Sequence, residues 1–207
     1  MQLENNNQNS DKTFVIVLAD GKFHKSVDAG TEGAVVRSYE DKDGATKTKT
    51  ELVFDTVKGM ITKLEFVDGE FGKSLHVEID NDGIVSVGTA SPFGEDLMKK
   101  LPSLDFSKEV TLTPYAFIPK GEENSKKGIS VYQDGVKVQS NYYKADPENE
   151  GKFININGIP EAEGDTTKFD SDDWKMHFMV VRKFLIKEIT KLSVFQEQAS
   201  TTNLEQM

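Results

Sequence analysis

The chain of 207 residues has no cysteine, a single tryptophan and three histidines. Without cysteine there is no disulfide framework, no thiol nucleophile and no thiolate site for zinc or an iron–sulfur cluster. Such a chain fits a reducing, cytoplasmic setting. No apolar run approaches the roughly 20 residues that span a bilayer. The first twelve residues are rich in Asn and Gln and carry no apolar h-region, so they do not read as a signal peptide. Hydrophobic residues make up 36%, little for a compact globule, so part of the chain is expected to be loop or tail. Positive charge is also short: 25 Lys plus Arg stand against 35 Asp plus Glu, a formal net charge of -10. That balance excludes a protein that coats nucleic acid with its whole surface, but it leaves room for a local basic groove.

Catalytic motifs are missing as well. Gly72-Lys73-Ser74 has the ending of a phosphate-binding loop, but the glycine required five positions earlier is Val67. Glu78, Asp80, Asp82 and Gly83 imitate the spacing of a calcium loop. Its twelfth position is Thr89, and the flanks are strand-like rather than helical. His24, His76 and His177 fall on different elements and read as surface residues. No carboxylate pair stands out as a general acid and base. The expectation is a protein that is not an enzyme and holds no cofactor or metal.

What is present is a succession of short strand patterns. Thr13 to Leu18, Lys22 to Val27 and Gly33 to Glu40 are β-rich runs, with Asp20-Gly21 and Asp43-Gly44 as turn signals. They predict a small antiparallel β unit. Thr50 to Val67 reads as one long strand bent at Gly59, because glycine inside a strand pattern marks a bulge or bend. Lys73 to Asp80 alternates, with Leu75, Val77 and Ile79 inward, and Ile84 to Thr89 returns after the Asn81-Asp82-Gly83 turn. The period then changes. Ser91 can cap a helix that opens on Pro92 and carries Phe93, Leu97 and Leu101 on one face. Glu109 to Ile118 and Gly128 to Gln133 are two more strands, and Val136 to Lys144 reads as a further one. The order of bent strand, strand, strand, helix, strand, strand is that of an OB-fold, a five-stranded, partly open barrel. The competing architecture is an antiparallel sandwich with one helix.

The predicted organisation is mainly β with minor α. Residues 1–12 form a disordered tail, and 13–143 an OB-like barrel with an N-terminal β extension. An acidic loop or linker covers 144–170, an amphipathic helix 171–192 and a polar tail 193–207. The helix pattern rests on Trp174, Phe178, Val181, Leu185, Ile189 and Leu192. It packs on the barrel, or its apolar face docks on another subunit.

Single-stranded nucleic acid is held by cations that track the backbone and flat side chains that stack on bases. Residues 120–144 hold five Lys against three acids, together with Tyr132, Tyr142 and Tyr143. Tyr132 points away from the face of Ile129 and Val131. Of its five lysines, Lys126, Lys127 and Lys137 are the candidate phosphate contacts. Earlier, Arg37 and Tyr39 share a strand face near Lys47 and Lys49. Lys58 and Lys63 flank the Gly59 bend, Phe71 sits in a turn beside Lys73, and His76 faces outward. These fifteen residues are the candidate nucleic-acid-binding set. The acidic segment 145–170 has seven Asp/Glu against two Lys, and could occupy such a groove as a mimic of the ligand.

The stretch Gly30 to Glu40, the bent strand through Gly59, Phe71-Gly72-Lys73 and above all SPFGEDLMKKLPSLDFSKEVTLTPY (Ser91 to Tyr115) resemble phage proteins of the crAss-like and related Bacteroidetes-infecting group. These are read as OB-fold single-stranded DNA-binding proteins. The resemblance covers residues 13–143. It implies sequence-independent coating of single strands during phage DNA replication and recombination in the host cytoplasm. Implied partners are single-stranded DNA, other replication proteins of the phage and further copies of the chain. Stacking and phosphate contacts serve RNA equally, so RNA stays open as a ligand, and no membrane partner is expected. Many phage proteins of this kind end in an acidic tail. Here SVFQEQASTTNLEQM holds only Glu197 and Glu205. The alternative function is a protein–protein module or virion component that does not bind nucleic acid.

Overall fold

A computed structural model describes residues 12–41 and 43–196. Residues 1–11 of the expected tail 1–12 and 197–207 of the expected tail 193–207 therefore lie outside the described residues. Within them the protein is mainly β. The strands are β1 (Thr13–Val17), β2 (Phe23–Ser26), β3 (Val35–Glu40), β4 (Thr46–Phe54), β5 (Val57–Gly69), β6 (Gly72–Ile79), β7 (Gly83–Gly88), β8 (Glu109–Phe117), β9 (Lys126–Gln133), β10 (Val136–Lys137), β11 (Tyr143–Ala145) and β12 (Phe153–Asn155). Two α-helices, α1 (Pro92–Lys100) and α2 (Ser171–Ile189), complete the set with short 3₁₀ turns. Neither helix is long and apolar enough to cross a membrane.

Ten strands form one sheet in the order β10-β9-β8-β5-β6-β7-β1-β2-β4-β3, and β11 and β12 pair separately. The sheet is open, so the closed barrel expected from element order is not what forms. The reason lies at the two edges that would have to meet. The free edge of β7 is taken by β1, in a parallel ladder running from Thr13↔Gly83 to Ile16↔Ser86. The free edge of β9 is taken by β10 and by α1: Asp96 Oδ2 accepts from Ile129 N at 2.8 Å, and Lys100 Nζ donates to Ile129 O at 2.6 Å. Both edges are thus satisfied without each other.

The segment 50–67 is not one strand. A turn at Asp55–Thr56 divides β4 from β5. The bend at Gly59 is real and lies early in β5. Residues 57–60 pair with β8, whereas 61–69 pair with β6, with a bulge between Ile61 and Lys63. Gly59 has φ 153°, and a Cβ there would run into Asp80 and Ile79. Asp80 sits so close because its carboxylate accepts from Met60 N at 2.8 Å while its own N–H donates to Met60 O at 2.9 Å.

Alternation sends Ile61, Leu64, Leu75, Val77, Ile79, Val85, Val87, Leu112, Ile129 and Val131 to one face, all buried. Helix α1 covers that face with Phe93, Leu97 and Met98. Ser91 Oγ caps α1 by accepting from Gly94 N, and Gly94 is required because a Cβ would strike Gly88 O. Each fully buried Leu or Phe of this layer contributes roughly 1.5–3 kcal/mol. Helix α2 starts from a capping box on Asp170 and packs on α1 through Val181, Leu185 and Ile189. After α2 the chain reaches β5: Leu64 N donates to Val194 O and Leu64 O accepts from Gln196 N, both at 2.9 Å.

Candidate nucleic-acid interface

The outward face of the sheet carries polar and aromatic residues, which fall into two patches on different strands. The first lies on β5, β8, β9 and β10. Lys58 pairs with Thr111, Thr111 with Tyr132, and Tyr132 with Lys137, so these four stand in one row across four strands. Neighbouring strands lie about 4.8 Å apart, which spaces a cation on each side of the tyrosine. Farther along the same face, Phe117 pairs with Lys126, and Tyr115 lies 5.8 Å from Phe117 between ring centroids. Phe117 is 53% exposed. Lys58 is ion-paired to Glu109 at 2.9 Å and Lys126 to Glu122 at 2.7 Å. All four groups of those two pairs are well exposed. Such pairs contribute about 0–1 kcal/mol, so a phosphate can replace the carboxylate. Lys137 has no ion pair among the described residues.

The second patch lies on β1, β2, β3, β4 and β6. Arg37 pairs with Lys49 and Tyr39 with Lys47, so the four share a face as expected. Arg37 is not free for a phosphate, however. Its guanidinium grips Glu51 through two hydrogen bonds, of 2.8 and 2.9 Å, while stacking over Tyr39. Glu51 is 1% exposed and also meets His24 Nδ1 at 3.0 Å; His24 Nε2 meets Asp20 at 2.9 Å. The Arg37 hydrogen bond holds the Glu51 carboxyl below its ordinary range, and burial opposes it without prevailing. The same contact raises the Arg37 guanidinium. His24 is therefore a buried structural residue and not a surface one.

A groove of about 420 Å³ borders this network, lined among others by Lys12, Phe14, His24 and Lys49. Phe14 is 44% exposed and stands edge-on to His76, 5.5 Å away. His76 does face away from the core, but it is half-buried, and that burial lowers its pKa against the pull of Glu65. Lys47 pairs with Asp41, Lys63 with Glu65 and Lys73 with Asp68, at 2.7, 2.7 and 2.9 Å. Lys49 has no such partner among the described residues. Phe71, at the tip of the β5–β6 hairpin, is 93% exposed.

Three of the fifteen residues leave these patches. Tyr142 is 2% exposed and edge-on to Phe184, with centroids 5.4 Å apart, so it offers no face to a base. Tyr143 lies under Lys99 Nζ, 5.1 Å from its ring centroid. Lys127 points to the opposite side of β9 from Lys126, into a groove beside α1 with Phe178 and Arg182. The acidic segment 145–170 does not sit on either patch's cations: Asp146 holds Asn149, and Asp165 holds Thr167 and Lys168. Phe14, Tyr115 and Phe117 belong to the patches but were not singled out from sequence. Parity with Tyr132 along the β8–β9 pair was the signal for the last two.

No family model, no curated protein and no solved structure matches the chain.

Proposed function

We propose that the protein binds single-stranded DNA without sequence preference, as the resemblance implies, by stacking bases on exposed rings and pairing phosphates with Lys. The observation that carries this reading is the row Lys58–Thr111–Tyr132–Lys137, extended by Phe117 and Lys126. Each stacked base contributes about 1–3 kcal/mol, so two or three rings offset an adverse net charge of -10. Duplex DNA hides the base faces and gains only the phosphate contacts.

The strand order β9-β8-β5-β6-β7 supports an OB-type reading, because it is the linear order of an OB barrel opened at its closing seam. OB-folds bind oligonucleotides on their second and third strands and on the loops between strands 1–2 and 4–5. In that reading Phe71 and Lys73 lie at the first loop, and Phe117 and Lys126 border the second. Replication and recombination of phage DNA is the setting the resemblance suggests.

The test is fluorescence anisotropy with a labelled oligo-dT of about 30 nucleotides and the matching duplex at two salt concentrations. Single-strand binding that weakens with salt and falls in Tyr132→Ala supports the reading. No binding at low salt overturns it and leaves a protein–protein module, which the exposed apolar side of α2 favours.

A further inference from the structure

Helix α2 buries Val181, Leu185 and Ile189 on its inner side. Its outer side carries a second stripe. At 100° per residue, Asp172, Met176, Met179, Val180, Lys183 and Lys187 fall within an arc of about 100°, centred opposite the buried residues. Met176, Met179 and Val180 are 63%, 46% and 51% exposed and form the apolar centre of that face. Acidic groups cluster at one end of the stripe. Asp172 and Asp173 lie there, and a groove of about 410 Å³ runs along one flank from Asp173 past Met176 to Val180, bordered by Glu161 and Glu163. Lys183 and Lys187, both exposed, stand at the other end without ion pairs among the described residues.

We infer that this stripe is the interface of a homodimer in which two α2 helices pack antiparallel. The pattern is its own complement. Positions 172 and 187, 176 and 183, and 179 and 180 are each symmetric about one point midway between Met179 and Val180. A two-fold axis there sets Asp172 of one copy against Lys187 of the other, twice, with Met179 and Val180 in the middle. That is the self-complementarity an isologous interface requires. A parallel pairing would set acid on acid and Lys on Lys. The present partner of Asp172 is Lys175, at 2.7 Å, and both are at least three-quarters exposed, so that pair yields readily. The stripe is about 22 Å long and the contact is small, which fits a reversible dimer rather than an obligate one. The inference stands whether or not the protein binds DNA.

Sedimentation equilibrium of the full chain over a wide concentration range tests it. A dimer is expected, and Val180→Glu, which sets two carboxylates at the axis, should weaken it at least about tenfold, equivalent to 1.4 kcal/mol. Asp172→Lys should also weaken it, and adding Lys187→Asp should restore it. That rescue separates an antiparallel interface from a misfolded variant. Because the chain lacks cysteine, Met179→Cys supplies a clean second reading: oxidation should link two copies. A monomer at every concentration overturns the proposal. So does a dimer that ignores Val180→Glu, or one that the double charge swap fails to restore.

Discussion

Asp96 Oδ2 receives the backbone N–H of Ile129 at 2.8 Å and the ammonium of Lys100 at 2.6 Å. A helix side chain therefore stands where a neighbouring strand would bond, which is why β9 does not meet β7. Gly128 makes the approach possible, since a Cβ there would collide with Asp96. Asp96→Ala removes the carboxylate partner of Lys100, itself only 7% exposed, and leaves the ammonium only the Ile129 carbonyl. The expected cost is about 3 kcal/mol. Lys100→Met should cost less, because Asp96 is more exposed and keeps the Ile129 amide. Urea unfolding with an unchanged slope reads both values; equal losses would argue against the asymmetry.

Glu51 gives a pH-dependent contribution. Its folded pKa is depressed, chiefly by the Arg37 hydrogen bonds. A depressed carboxyl stabilises the fold above its unfolded pKa, and that contribution is lost as pH falls through the folded value. Glu51→Gln should cost about 2 kcal/mol at neutral pH, after allowing for the part-exposed Arg37. The gap from the parent should close as pH drops below about 4.5. Parallel denaturation curves across that range check it, and a gap that persists in acid would assign the loss to packing instead.

Gly59→Ala combines a backbone conformation that L-residues avoid with a Cβ driven into Asp80 and Ile79. A loss of about 2–4 kcal/mol is expected. Amide exchange should show the damage centred where β5 changes partner. Gly30→Ala is the control, since it shares the positive φ but has open space around it. It should cost about 1 kcal/mol.

The aromatic residues divide into two kinds of variant. Tyr132→Ala and Phe71→Ala should each weaken oligo-dT binding by roughly 5- to 100-fold while changing thermal stability little. Tyr142→Ala should do the reverse, costing about 3 kcal/mol of stability by emptying a core site. Lys137→Ala should lower the salt slope by about one unit or less. Full binding by Tyr132→Ala would move attention to the Phe14 and Lys49 patch.

Local chemistry made much of the fold readable. The Gly59 bend, the Leu75/Val77/Ile79 alternation, the Ser91-Pro92 start of α1 and the helical period of α2 each depend on neighbours within a few residues, though α2 ends at Ile189 rather than Leu192 and leaves Trp174 and Phe178 of that period exposed. The open sheet was not readable, because it depends on which of two distant edges β1 joins. The Val15 run carries no mark of a parallel partner at Val85. Parity placed Tyr132 outward, and the register then set Lys137 beside it and Lys58 two strands away across Thr111. Tyr142 was misplaced because nothing local says that α2 returns to cover it with Phe184. His24 and Glu51 are 27 positions apart, so neither announces the other.

The four-residue parallel ladder between β1 and β7 has a consequence for folding order. It is the hydrogen-bonded joint between the β2, β4 and β3 wing and the sheet that α1 covers. β1 leaves the ribosome about 70 residues before its partner, so the wing can form its own hairpins early but docks late. Docking inserts Phe23 into the shared core and sets Gly21 against the Tyr115–Ala116 backbone of β8, so the docked wing is expected to open together with the core. Arg37, Tyr39 and Lys49 ride on that wing, so the second patch meets Phe14 and His76 only once β1 has joined β7.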